Sequence, residues 1–330
     1  MKDSADIKKQ NKARIGRLLA AGEELSKQQI ARKTGLSVAS CNTYLNEMEQ
    51  MGEVLGTKRK LHEVGRNTVV YRLNEDHECF AGLYFELIGG VKSLTTVVFS
   101  PTGRIKDLTK QSYPLLDEKV IYTRLARTLE QFPNASQLVV GTPSVAEGGV
   151  IRHSDIPELE GVPLVSELEK RCGRPVFLAN DMYYKVYGYY RKENAEGKIV
   201  TLVNYPAGVL PGTATVYNGS ILTGRNLFAG MVGFLDYGIS IDEQIQKMQR
   251  PIAMPLITRA SIALISILNP HNLLFTGDLI RAEDMDTIRA ACEKCIPAEY
   301  MPDFAYLPDA TPYYLAGMYE VAMDRKEDFQ

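Results

Sequence analysis

Two clusters of side chains in this sequence have the residue types that catalysis or ligand binding requires. Asn180 and Asp181 stand together, and a carboxylate in such a place can act as a general base or hold the hydroxyls of a ligand. The same pair opens a segment of helical pattern, so a helix N-cap is an equal interpretation. His153, Ser154 and Asp155 are the residue types of a catalytic triad. Neighbours in sequence cannot converge in triad geometry, so this second cluster predicts a loop.

The cysteines predict neither a disulfide framework nor a metal site. The five of them are scattered and odd in number. Cys292 and Cys295 form a C-x-x-C pair, but no second Cys or His pair stands near them, and the segment has a helical pattern. We therefore favour buried or half-buried thiols over zinc or redox chemistry and expect no metal or cofactor.

A different kind of chemistry is indicated near the N-terminus, where short side chains share one face of a predicted helix. That helix starts at Ser37, and its inward stripe consists of Val38, Cys41, Leu45, Met48 and Met51. The opposite face carries Ser37, Ala39, Ser40, Asn42, Thr43 and Asn46. An Asn can pair with adenine, while an Ala or a Thr methyl suits the methyl group of thymine. A face exposed only to solvent would usually carry Glu and Lys, so we interpret this face as a DNA-reading surface.

The elements around this helix have the order of a winged helix-turn-helix. An amphipathic helix is predicted over residues 12–21, and a capping box from Ser26 to Gln29 starts a second helix that ends at Thr34. Gly35 supplies the turn before the reading helix. After it, two β-prone runs around a Gly-Arg-Asn turn predict a hairpin. The hairpin's candidate phosphate and minor-groove contacts are Lys58, Arg59, Lys60, Arg66 and Asn67.

The distribution of charge agrees with a basic head on an acidic body. Residues 1–75 carry 14 Lys and Arg against 9 Asp and Glu, whereas the whole chain has a net charge of −2. A basic segment suits a polyanionic partner such as double-stranded DNA. A three-helix oligomerisation module with a basic surface is the alternative.

From Cys79 onward, predicted strands alternate with predicted helices, which indicates an α/β body of two sheet-based lobes. We predict domains over 1–75, over 79–182 together with a C-terminal helix at about 312–326, and over 183–311. Apolar residues make up 45% and charged residues 24%, as in soluble globular proteins. No apolar run reaches the ~20 residues of a membrane span, and the polar start does not resemble a signal peptide. We expect a cytoplasmic protein without a membrane partner.

An ordered series of short motifs in the body resembles the ROK family, which groups sugar kinases with repressors of sugar-use genes. The motifs are Ile88-Gly-Gly-Val-Lys92, Gly141-Thr-Pro-Ser144 with Gly149-Val-Ile151, Pro175-Val-Phe-Leu-Ala-Asn180-Asp181, Asn218-Gly219, Gly230-x-x-Gly233 and Leu268-Asn-Pro270. The resemblance implies an actin-like (ribonuclease H-like) ATPase fold of the sugar-kinase type. It also implies a homodimer, and the winged helix-turn-helix resembles the one fused to this family's repressors.

The departures from the family pattern fall on the kinase machinery. Leu87 stands where the family kinases have the Asp that engages magnesium and phosphates, and Gly208-Val-Leu-Pro-Gly212 replaces the second phosphate loop. Met231 and Phe234 replace the sugar-binding Glu and the zinc-binding His, and the adenosine-side Gly-Gly is reduced to Gly277-Asp278. We therefore expect a DNA-binding regulator, a repressor of carbohydrate genes, that is not an enzyme.

What survives of the family's sugar site is Asn180-Asp181, where the resemblance makes the Asp the base that accepts the sugar's proton. The resemblance also places candidate contacts to a sugar-like effector at Pro143, Ser144, His153, Ser154, Asp155, Asn180 and Asp181. Two alternatives stay open: a body that only dimerises, and a divergent ROK sugar kinase with a DNA-binding appendage. Five tyrosines lie between Tyr183 and Tyr190. We favour packing in the interior of a lobe, with a pocket or a dimer interface as the alternatives.

Overall fold

The computed structural model describes residues 4–60 and 68–329 of the chain. By compactness these residues divide into two units. The first comprises residues 1–140, 156–178 and 321–330, and the second comprises residues 141–155 and 179–320. None of the helices in the described part of the chain is long and apolar enough to cross a membrane.

The N-terminal part of the first unit is a small helical domain with a three-stranded sheet of order β1-β3-β2. Its elements are α1 (Ser4–Leu19), β1 (Leu25–Ser26), α2 (Lys27–Thr34), α3 (Val38–Gln50), β2 (Val54–Arg59) and β3 (Thr68–Leu73). The predicted capping box is present, since Ser26 Oγ accepts from the Gln29 amide and the Gln29 side chain accepts from the Ser26 amide. Gly35 ends α2 in the left-handed conformation, at φ 71°. The first helix begins earlier than predicted. Its first turns carry mostly polar residues, so they show no apolar period from which a helix could be predicted.

The rest of the first unit is built on a five-stranded sheet of order β10-β7-β4-β5-β6. The elements in this region of the chain are β4 (Cys79–Ile88), β5 (Val91–Phe99), β6 (Ile105–Tyr113), α4 (Glu118–Gln131), β7 (Ala135–Thr142), β8 (Val145–Glu147), β9 (Val150–Arg152), α5 (Leu164–Cys172) and β10 (Val176–Asn180). Two glycines at positive φ, Gly89 and Gly90, join β4 to β5. Strand β6 lies at the sheet edge and is largely exposed, so its polar sequence gave no strand signal.

The second unit is built on another five-stranded sheet, of order β13-β12-β11-β14-β15. The elements are α6 (Asp181–Lys192), β11 (Val200–Asn204), β12 (Gly212–Tyr217), β13 (Ser220–Ile221), α7 (Ile241–Lys247), α8 (Met254–Leu268), β14 (Asn272–Thr276), α9 (Asp284–Cys292), β15 (Asp303–Tyr306) and α10 (Thr311–Phe329). Strands β11, β14 and β15 run parallel, and apolar residues of α8 and α9 cover that part of the sheet. The alternation predicted from the sequence is therefore an α/β fold with two sheets. The division of the body at residues 182 and 183 stays a prediction.

Candidate functional site

Helix α3 is held in place by its cap and by a buried inner face. Ser37 is the N-cap, and its hydroxyl accepts a hydrogen bond from the Ser40 amide at 3.0 Å. Cys41, Leu45 and Met48 are buried against α1, α2 and the small sheet. The predicted stripe was wrong at its two ends, since Val38 is 50% exposed and Met51 is 63% exposed. Only the middle of the stripe faces the core, because α3 extends beyond the small domain's core at both ends.

The outward face of α3 presents the predicted set of short side chains to solvent. Ser37, Ala39, Asn42, Thr43 and Asn46 are exposed, and Ser40 is half-buried. The Thr43 hydroxyl donates to the carbonyl of Ala39 at 3.2 Å, which leaves its methyl group as the outer contact. Asn42 Oδ1 accepts a hydrogen bond from Lys27 Nζ, a contact that no local sequence pattern predicts. The face therefore offers two amide side chains, those of Asn42 and Asn46, and the small apolar groups of Ala39 and Thr43 to a partner.

The basic strand β2 lies beside the reading helix in the small domain. Lys58, Arg59 and Lys60 are all exposed. Arg59 pairs with Glu24 at 3.1 Å, whereas Lys58 has no ion-pair partner within the part of the chain that the structure describes. Arg66 and Asn67, at the tip of the predicted hairpin, lie outside the described residues.

A second cluster of candidate side chains lies in the second unit, around the start of α6. Asn180 is the N-cap of this helix, and its Oδ1 accepts from the Met182 amide at 2.9 Å. Its Nδ2 donates to the carbonyl of Ser144 at 3.1 Å, and the Ser144 hydroxyl donates to the Ser154 hydroxyl at 3.0 Å. The N-cap interpretation of Asn180 is thus confirmed. The same residue also ties together two of the predicted ligand contacts.

Two carboxylates approach each other in this cluster. The pKa of Asp155 is raised above its usual value because protein atoms surround the carboxyl group, and the charge of Asp181 adds to the effect. More than a third of Asp155 stays accessible to solvent, which moderates that rise. Asp181 itself is bonded to Lys185 one turn along α6, with only 15% of its side chain exposed. His153 is exposed at φ 49°, and Pro143 is half-buried at the end of β7.

Lys185 was missed in the sequence, although its spacing of four residues from an Asp on a predicted helix is a signal for such a pair. Its ammonium group also lies 5.3 Å from the centre of the Tyr314 ring. One carboxylate oxygen of Asp181 already accepts a hydrogen bond from the Lys185 ammonium group. The cluster is therefore better suited to hydrogen bonding than to proton transfer.

In the loop between β11 and β12, several of the amides that a phosphate cradle would use are bonded or missing. The amide of Gly208 donates to the carbonyl of Met248 at 2.8 Å, and Pro211 has no amide hydrogen. The Ala207 amide faces a carboxylate oxygen of Asp278 at 3.5 Å. A carboxylate at this position would repel a phosphate group. Leu210 packs against Gly233.

Two further positions that the family resemblance singled out make other contacts here. Lys92 is paired with Glu158. Phe234, at the expected zinc-ligand position, is 52% exposed, and its ring centre lies 5.4 Å from that of Phe228. Within the described residues, no group of three or more His, Cys, Asp or Glu side chains is placed to hold a metal ion.

Cys292 and two of the tyrosines are packing residues, whereas the prediction of a buried or half-buried thiol was wrong for Cys295. Cys292 is buried, which raises the pKa of its thiol to about 11, whereas Cys295 is exposed beyond the end of α9. Such a thiol stays protonated and unreactive at neutral pH. Tyr184 and Tyr190 are buried in α6, where Tyr190 packs against the second sheet.

Comparison with known proteins agrees with this architecture. Residues 11–52 match the model described as winged helix-turn-helix DNA-binding, and residues 90–246 match the ROK family model. Residues 90–246 are a ROK family domain. Its N-terminal domain is a winged helix-turn-helix, so the predicted fusion of a DNA-binding head to a sugar-kinase-like body is confirmed.

Relatives of this ROK protein include both regulators and kinases. The crystal structure of a ROK family transcriptional regulator, described as a homolog of the E. coli MLC protein, superposes with a TM-score of 0.74 at 18% identity, covering 98% of both chains. A putative N-acetylmannosamine kinase from Listeria monocytogenes superposes with a TM-score of 0.60 at 14% identity, covering 75% of this chain and all of the other. A glucokinase from Thermotoga maritima is 29% identical over 160 residues, covering 45% of this chain. The present chain spans about half the length of that curated relative.

Proposed function

We propose that this protein is a transcription regulator whose winged helix reads an operator in double-stranded DNA. Its ROK body would bind a sugar or sugar derivative without phosphorylating it. The protein would act in the cytoplasm as a homodimer and repress carbohydrate genes. The observation that carries the proposal is the outward face of α3, where five exposed side chains are short and uncharged. Such side chains fit into the major groove and contact base edges.

The surroundings of this face support a DNA partner over a protein partner. Lys58 is exposed in β2 and Lys60 directly after it, and cations beside a reading helix suit the phosphate backbone. A second reading helix from a partner subunit would contact a second half-site one turn of DNA away. The dimer is part of the proposal and follows from this requirement and from family membership.

The loss of kinase activity is proposed on the state of the phosphate loop. Phosphoryl transfer depends on positioning and on electrostatic stabilisation of the phosphates. Here the loop amide of Gly208 is already bonded, Pro211 offers none, and Asp278 adds a negative charge. Asp181 and Asn180 retain hydrogen-bonding atoms for the hydroxyls of a ligand.

Binding of the full-length protein to DNA from upstream of its own gene, measured across a salt series, tests the proposal. We expect sequence-selective binding that weakens as salt rises, because phosphate contacts release counterions. The double variant Asn42→Ala/Thr43→Ala should lose selectivity while keeping salt-dependent, non-selective binding. Binding that ignores sequence in the wild-type protein would contradict a reading function.

A sugar kinase with a DNA-binding appendage is the second candidate. The observations that favour it are the position of Asp181 at the start of α6 and the similarity to a glucokinase. The discriminating experiment is phosphoryl transfer from magnesium ATP to a panel of hexoses, with Asp181→Asn as the control. Turnover that disappears in this variant would establish the kinase, and absence of turnover favours the regulator.

The same panel of sugars separates a sensing body from one that only dimerises. A ligand that binds the folded state and not the unfolded state raises the melting temperature, by an amount that grows with the logarithm of its concentration above Kd. We expect at least one sugar to raise it in the wild-type protein and to lose this effect in Asn180→Ala. If no sugar in a broad panel shifts the melting temperature, the sensing role is contradicted.

A further inference from the structure

Lys27 occupies a position that helix stability does not explain. It is the first residue of α2, directly after the N-cap Ser26. The N-terminus of a helix carries partial positive charge, so a cation there is unfavourable for the helix. Its ammonium group instead donates to Asn42 Oδ1 on the reading helix and lies 5.5 Å from the centre of the Tyr71 ring. Lys27 is thus held against the reading face by contacts on two sides.

This contact changes what Asn42 presents to a base. An Asn that reads adenine uses its oxygen to accept from the N6 amino group and its nitrogen to donate to N7. In this protein the oxygen of Asn42 already accepts from the Lys27 ammonium. An adenine amino group that approached the oxygen would meet a positive charge beside it. The free hydrogen-bonding groups of the pair are the Asn42 Nδ2 donors and the remaining ammonium donors of Lys27.

We propose that Lys27 and Asn42 act together as a composite donor pair that reads guanine, with Lys27 as a specificity-determining residue outside the reading helix. Guanine presents two adjacent acceptors, O6 and N7, in the major groove, and these match two neighbouring donors. Adenine offers only one acceptor there, and its amino group would face a donor. The inference rests on the proposed function and adds the base that this site selects.

Selection from a random double-stranded DNA library with the full-length protein tests the inference. The wild-type protein should enrich a motif with guanine at one position of each half-site. Lys27→Met and Asn42→Ala should each reduce the preference for guanine over adenine at that same position by roughly tenfold or more. Lys27→Arg keeps the donors and the charge and should retain guanine.

Lys33→Met is the matched control, since Lys33 lies on the same helix but pairs with Glu23. This variant loses the same charge and should leave the motif unchanged. Lys27 and Asn42 are both at least partly exposed, so the variants should fold, as circular dichroism will check.

Two results would overturn the inference and leave the proposed function standing. The first is a Lys27→Met variant that keeps guanine but binds all sequences more weakly with a shallower salt dependence, which would make Lys27 a phosphate contact. The second is adenine at the position that depends on Asn42. If the wild-type protein enriched no motif, the proposed function itself would fail, and the inference with it.

Discussion

At the scale of single residues, the caps of the DNA-binding domain were the most predictable feature. Ser26 and Ser37 were both expected as N-caps, and both accept the predicted amide hydrogen bonds. A cap depends on residues three apart, so the local sequence contains all of its determinants. Lys27 and Lys185 were not predicted as partners of site residues. The contact of Lys27 with Asn42 arises only after α2 and α3 have packed together.

The cap of the reading helix leads to a first prediction. Ser37→Ala removes the acceptor of the Ser40 amide and should cost about 1 kcal/mol of stability in α3. Hydrogen exchange of peptides from α3 should accelerate correspondingly. Ser266→Ala, at an exposed position in α8, is the control and should be neutral or slightly stabilising. Unchanged exchange in α3 would show that the cap does not stabilise the helix.

The raised pKa of Asp155 leads to a second prediction at this scale. A carboxyl group whose pKa is higher in the folded state binds its proton more tightly there. Its contribution to stability is therefore present below its ordinary pKa and is lost as pH rises through the raised value. Asp155→Asn should raise the melting temperature at pH 7, and this gain over wild type should vanish as pH falls toward 4. The control is Glu147→Gln, which replaces an exposed carboxylate in β8. If the gain in melting temperature of Asp155→Asn at pH 7 persisted unchanged at pH 4, the assignment to the Asp155 carboxyl would be contradicted.

At the scale of elements, the sequence identified most helices and buried strands but not how they pack. The segment opened by Asn180 and Asp181 and the segment at about 312–326 were expected as helices, and α6 and α10 occupy them. Their close crossing was not expected, because it depends on two glycines far apart in the chain. A Cβ atom on Gly188 would lie 1.8 Å from the carbonyl oxygen of Tyr313, and one on Gly317 would lie 1.9 Å from that of Tyr184.

This crossing leads to a third prediction. Gly188→Ala should destabilise the second unit by about 1–3 kcal/mol or more, because the backbones of α6 and α10 must move apart. Gly16→Ala in α1 is the matched control, since its Cβ would meet nothing within 4 Å. It should instead stabilise its helix by roughly 0.5–1 kcal/mol. Urea unfolding gives the change in stability of each variant, and hydrogen exchange shows which part of the molecule is affected. Equal changes in stability for Gly188→Ala and Gly16→Ala would contradict the close packing of α6 and α10.

At the scale of the whole molecule, the alternation of strands and helices and the ordered motifs were sufficient to predict the fold and the family. The connection between head and body was expected only as a break in pattern near residue 76. In the structure, a hydrogen bond and ion pairs join this connection to the turn before β6 and to the start of that strand. Glu75 accepts from Thr102 and from Arg104 at 2.6 Å, and Lys106 pairs with Asp76 at 3.0 Å. Residues about thirty positions apart make these contacts, so no local pattern reveals them.

A connection held by ion pairs should resist cleavage, and this is the last prediction. The residues from Asn74 to Glu78 include two glutamates, which a Glu-specific protease can attack only when the segment leaves its site. The pKa of Glu75 is held below its usual value, mainly by the hydrogen bond from the Thr102 hydroxyl. The Arg104 guanidinium adds a smaller contribution. The contact is therefore complete at neutral pH and is lost as pH falls through that lowered pKa.

Arg104→Ala should accelerate cleavage between head and body several-fold at neutral pH, measured by the appearance of the two fragments with time. The matched control is Lys110→Ala. Lys110 lies further along β6 and pairs with Glu86 of β4, so this variant removes an ion pair and leaves the connection intact. If the two variants were cleaved at the wild-type rate, the connection would be held by its backbone contacts instead, such as the hydrogen bond from the Asn74 amide to Glu53. Faster cleavage confined to Arg104→Ala would mean that these side chains hold the connection, and with it the winged helix-turn-helix, to the five-stranded sheet of the same unit. A change in the body could then reach the winged helix through the connection without a free tether between them.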